Sequence, residues 1–126
     1  MVEDVNKVIN TLKLQAELFL LDAGEFFPFG TYINKDSEIV PVGACLKNEN
    51  DRPTSLEVIE LLEKAFNFDI ETGKCKIAGI AIDITIRENN ETYDGIEMRF
   101  FEPNKKVYTK LLKYRINRNS VDFFET

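Results

Sequence analysis

Of the side chains that carry most protein chemistry, this sequence lacks one entirely: it contains no histidine. A Ser-His-Asp triad, a Cys-His pair, an H-E-x-x-H zinc site and a facial-triad iron site are therefore excluded in their usual forms. Cys45 and Cys75 are too far apart to form a close-spaced metal or redox pair, and they read as two reduced thiols with no imidazole to activate them. The six glycines, at 24, 30, 43, 73, 79 and 95, spell neither a dinucleotide fingerprint nor a phosphate loop. Carboxylate chemistry remains. Asp22 and Glu25 flank Gly24 just before the run Phe26-Phe27-Pro28-Phe29-Gly30, and a carboxylate beside apolar aromatics can have its pKa raised enough to exchange protons. No third group accompanies the pair, so the expectation is no catalytic centre, no metal and no cofactor, with Asp22 and Glu25 as the acids to watch.

Binding chemistry has more candidates. Asp83, Thr85, Glu97, Arg99, Lys113 and Arg115 alternate along three apolar strands, with Phe101 among them, and the alternation places them on a polar sheet face turned away from the helices. Of these, Asp83, Arg99 and Phe101 are taken as candidate partner contacts, Asp83 because it interrupts an otherwise apolar strand. Phe26, Phe27, Phe123 and Phe124 are candidate anchors, since aromatics dominate interfaces when buried against a partner. The stretch Lys105 to Arg118 is basic and interleaved with Tyr108 and Tyr114, but its tyrosines alternate with core-type residues and the chain carries a formal charge of −6. Nucleic acid and anionic membrane are not expected partners.

The elements that must position these residues follow from periodicity. Val8, Ile9, Leu12, Ala16, Phe19, Leu20 and Ala23 recur at helical steps, which predicts a helix from about Glu3 to Ala23 closed by Gly24. Phe26–Ile33 and Glu38–Cys45, joined by Asn34-Lys35-Asp36-Ser37, predict a β-hairpin. After the polar loop Lys47–Pro53, Thr54-Ser55-Leu56-Glu57 has the spacing of a capping box and opens a second helix bearing Val58, Leu61, Leu62, Ala65 and Phe66. Period-two alternation then predicts strands around Ala78–Arg87, Ile96–Phe101 and Val107–Asn117, followed by a tail, Val121 to Thr126, in which Phe123 and Phe124 can dock.

The expected fold class is α+β: the order αββαβββ, a five-stranded, mainly antiparallel sheet, and two helices available to cover one face. That element order resembles the profilin-like and roadblock folds, and the resemblance implies the strand order 2-1-5-4-3. The hairpin itself, Gly24 to Ile33 followed by Asp36 to Val42, is similar to a pattern in small uncharacterised bacterial proteins, with Ser37 where a glycine is usual. This likeness implies a bacterial stand-alone domain and brings no catalytic residues.

At 126 residues, 44% hydrophobic and 30% charged, the chain reads as a single folded domain, residues 1–126. Its apolar runs are too short to span a bilayer, and Glu3 and Asp4 are wrong for an export signal, so a cytoplasmic location is expected. The leading expectation for function is a non-enzymatic interaction module that binds a protein partner or a second copy of itself. A small-molecule binder or carboxylate-based enzyme using Asp22 or Glu25 is the alternative, and a toxin-neutralising immunity protein is a third.

Overall fold

The computed structural model describes residues 2–43 and 55–125. Cys45, the loop Lys47–Pro53, Thr54 of the expected capping box and Thr126 lie outside the described residues. The chain folds as α1 (Val2–Ala23), β1 (Phe29–Asn34), β2 (Ile39–Val42), α2 (Ser55–Glu71), β3 (Cys75–Glu88), β4 (Glu91–Phe101), β5 (Tyr108–Ile116) and β6 (Val121–Glu125). It is an α+β structure with one six-stranded antiparallel sheet, ordered β2-β1-β3-β4-β5-β6.

Turn chemistry explains the hairpins. Gly24 closes α1 with φ +77°, its amide donating to the Leu20 carbonyl at 2.8 Å. Between β1 and β2 the Asn34 side-chain oxygen accepts from the amides of Asp36 and Glu38, both at 2.9 Å, while Ser37 takes φ +66°. Asn89 and Asn90 join β3 to β4 with φ of +50° and +66°, the two-residue turn whose twist matches a hairpin.

The expected strand number and strand order are corrected. The sheet has six strands, not five, and β1 pairs with β3 rather than with β5. The sixth strand is the expected docking tail: Asn117 turns the chain, its amide donating to the Ser120 carbonyl at 2.8 Å, and Val121–Glu125 then pairs with β5. β3 takes the inner place because Ile77 to Ile82 is buried on both faces, which requires strands on both sides and helices above and below.

The helices lie on opposite faces of the sheet, not on one. Val8, Leu12, Ala16 and Leu20 of α1 pack with Ile77, Ala81, Ile96, Met98 and Leu112, whereas Val58, Ile59, Leu62 and Phe66 of α2 pack with Ala78, Ile80, Ile82 and Phe101. Alternate residues of β3 thus serve two cores. Glycine sets both approaches: a Cβ on Gly79 would come within 2.8 Å of Val8, and one on Gly30 within 2.7 Å of the Phe66 ring. On the α1 face, Thr31 is fully buried and donates its hydroxyl to Gln15, whose amide reaches the Gly30 carbonyl at 3.4 Å, so no polar atom there is left dry.

Candidate functional site

Two-sided helix cover divides the polar residues expected on one open face. Register pairs Asp83 with Ile96 and Ile82 with Glu97, so Asp83 and Thr85 project on the α1 side while Glu97, Arg99, Lys113 and Arg115 project on the α2 side. Arg99 is engaged within the molecule, paired with Glu97 and, at 3.5 Å, with Glu63 of α2. Phe101 is core, its ring 6.0 Å from that of Phe66, and offers nothing to a partner. Phe123 and Phe124 take opposite faces of β6. Phe123 is half-buried with the Lys13 ammonium 5.9 Å above its ring, and Phe124 lies under Arg115 at 5.2 Å.

Asp83 stands where β3 emerges from the cover of both helices. Its Oδ1 accepts the Tyr114 hydroxyl at 2.8 Å and its Oδ2 accepts the Phe26 amide at 3.4 Å. One carboxylate thereby ties β3 to β5 and to the segment leaving α1. It forms the floor of an open cleft of about 550 Å³, lined also by Glu25, Phe26, Phe27, Asp94 and Tyr114. Burial pushes the Asp83 pKa up, and the nearby negative charges of Asp94 and Glu25 add to the rise, while its two hydrogen bonds oppose it. Tyr114 is pushed up as well, by burial and then by the bond to Asp83, so its proton stays on the phenol and it acts as a donor. Glu25 lines the cleft and Asp22 does not, so the structure separates the two acids singled out from sequence. Among the described residues no three His, Cys, Asp or Glu side chains converge as metal ligands.

An exposed apolar stripe runs along the outer face of α1, away from the side that packs on the sheet. Leu14, Leu18 and Leu21 of α1 are 64%, 70% and 39% exposed. At about 100° per residue they centre on the side of α1 opposite Val8, Leu12, Ala16 and Leu20. Their i, i+4, i+7 spacing is the signal that could have found them: it forms a second apolar stripe out of phase with the first. The orientation of this face is fixed by what lies beside it. Glu17 accepts the Val121 amide at 3.0 Å and Lys13 covers Phe123, so β6 is fastened to the flank of α1. Phe26 is half-buried, edge-on to Phe29 at 5.2 Å, but Phe27 is 62% exposed at the cleft rim. On α2, Leu61, Ala65 and Phe68 are exposed at the same spacing, with Lys74 5.3 Å above the Phe68 ring.

Compared with known proteins, the chain matches no family model, no curated protein and no solved structure. No helix among the described residues is long and apolar enough to cross a membrane.

Proposed function

We propose that this protein is a non-enzymatic protein-binding module whose docking surface is the outer face of α1. One observation carries the reading: three leucines of a single helix stand exposed in register, on a face that contributes nothing to the protein's own core. Apolar side chains scattered singly need no explanation, but a helical stripe of this kind is what an amphipathic partner helix or a helical groove covers. The anchors are Leu14, Leu18 and Leu21, with exposed Phe27 beyond the C-terminal end of the helix.

The test is Leu18→Glu. Because Leu18 is 70% exposed, the variant folds with an unchanged far-ultraviolet circular dichroism spectrum and an unchanged melting temperature. A protein that co-purifies with the wild type from its native source is lost from the variant. Retention of the same partner by the folded variant would sink the reading.

A second reading is favoured by the cleft. Its three carboxylates, Glu25, Asp83 and Asp94, lie beside Phe26 and Phe27, a setting that suits a small organic cation through charge and ring contacts. Saturable binding of a primary or quaternary amine, abolished by Asp83→Asn, would move this reading ahead of the first.

A further inference from the structure

We infer that the free edge of β6 is a further binding site, which takes an extended peptide of a partner protein as an added strand in the groove between β6 and α1. The site is separate from the leucine face and does not depend on it. Its ground is the hydrogen bonding that the sheet leaves undone at its two ends. An edge strand turns every other residue outward, and those amides and carbonyls need either water or another strand. At the β2 edge the Asn34 amide donates to the Glu38 carbonyl, so Val40 and Val42 bond to β1 while Pro41, opposite Thr31, is turned outward. Proline has no amide to give, and the row of donors is broken there.

The β6 edge is different. The Asn117 amide donates to the Ser120 carbonyl, so by the same alternation Asp122 and Phe124 bond to β5 while Val121, Phe123 and Glu125 face outward. The Val121 amide is taken by Glu17 of α1 at 3.0 Å. The main-chain groups of Phe123 and Glu125 remain, and among the described residues no strand lies beyond them. Beside them runs a groove of about 330 Å³, walled by Lys13, Leu14 and Glu17 of α1 and by Val121 and Phe123 of β6. Leu14 is exposed and Phe123 half-buried, so a side chain of the added strand meets apolar walls there, while the charges of Lys13 and Glu17 balance. The occupant is therefore an extended segment that directs an apolar, uncharged side chain into the groove: main-chain bonds hold it and the groove selects it. A second copy does not fit this place. Its own α1 flanks its own β6 edge, and an edge-to-edge pair would bring two helices to one seam.

The experiment selects binders of the full chain from a displayed library of random short peptides, then measures the affinity of a selected peptide and its effect on amide hydrogen exchange. The expected peptides are extended and apolar at alternate positions, and they slow exchange at Phe123 and Glu125 while leaving Ile39 of β2 unchanged. Glu125→Pro deletes one outward donor without removing a bond to β5, and weakens binding roughly tenfold. Glu125→Ala, which removes the side chain alone, binds as the wild type does, and so does Leu18→Glu on the separate leucine face. A library that yields no binder overturns the inference, as does protection at amides other than Phe123 and Glu125, or an equal loss in Glu125→Ala and Glu125→Pro. A wild type that pairs with itself through β6 overturns the choice of partner. Loss of the peptide in Leu18→Glu also overturns the inference, by moving the peptide to the outer face of α1, and leaves the docking reading standing.

Discussion

Replacing Tyr114 with Phe deletes one hydroxyl from a side chain that is only 7% exposed, and leaves Asp83, at 2.8 Å from it, with one remaining donor among the described residues, the Phe26 amide at 3.4 Å. A hydrogen bond to a charged acceptor contributes about 1.5–3 kcal/mol, against about 0.5–1.5 for a neutral pair, so the cost depends on the protonation state of Asp83. Burial holds the Asp83 pKa above its ordinary value in the folded protein. The folded state therefore binds this proton more tightly than the unfolded chain. Its stabilising contribution is complete below the unfolded pKa and is lost as the pH rises through the folded one. Removing the Tyr114 bond, which favours the charged form, raises the folded value further and widens that window. Tyr114→Phe should thus cost about 2 kcal/mol at pH 7, a fall of roughly 7–8 °C in melting temperature for a domain of this size, and about half as much at pH 3.5. The assay is urea unfolding at both pH values, with Asp83→Asn and the double variant completing a cycle. In the Asp83→Asn background the Tyr114→Phe penalty should shrink and lose its pH dependence. Equal penalties at pH 3.5 and 7, or a neutral Tyr114→Phe, would refute the account of the carboxylate as a charged tie between β3, β5 and the end of α1.

Three further outcomes follow from the packing. Gly79→Ala places a methyl 2.8 Å from Val8 and 3.1 Å from Leu12, so denaturant unfolding should show a loss of about 1–3 kcal/mol as α1 is pushed from the sheet. Ser37 holds φ +66°, which glycine adopts freely, so Ser37→Gly should gain up to about 1 kcal/mol in the same assay; a loss would mean that the bond between the Lys76 ammonium and the Ser37 hydroxyl outweighs the backbone strain. Burial, with a smaller contribution from the Asp69 charge, pushes the Cys75 thiol up to about 11, so in a Cys45→Ala background a disulfide reagent at pH 8 should label nothing until denaturant is added.

Local signals carried much of the architecture. α1 and its glycine stop, the Asn34 hairpin, α2 and the three meander strands were all legible, because each depends on residues near one another in sequence. What required the third dimension was less visible. Period-two alternation in β3 predicts one wet face and one dry face, but Gly79 and Ala81 are small because a helix lies on them, not because the face is solvated. Placing the helices on opposite sides then broke the supposed polar face into two, and took Arg99 and Phe101 into internal contacts. At the candidate sites, Asp83 was legible as a carboxylate in an apolar strand, but its partner Tyr114 is 31 residues away, and no local pattern joins them. The leucine stripe was present in the sequence throughout. It was hidden by the stronger stripe beside it, since a helix with apolar residues on two faces shows its core face first.

The central claim, that the outer face of α1 is where this protein meets its partner, is tested most directly by installing a photo-reactive side chain at Leu18 in the native cell, with Lys64 on exposed α2 as the control position. Irradiation should produce a discrete cross-linked protein species from position 18 and none from position 64. No adduct at position 18, or equal adducts at both positions, would contradict it.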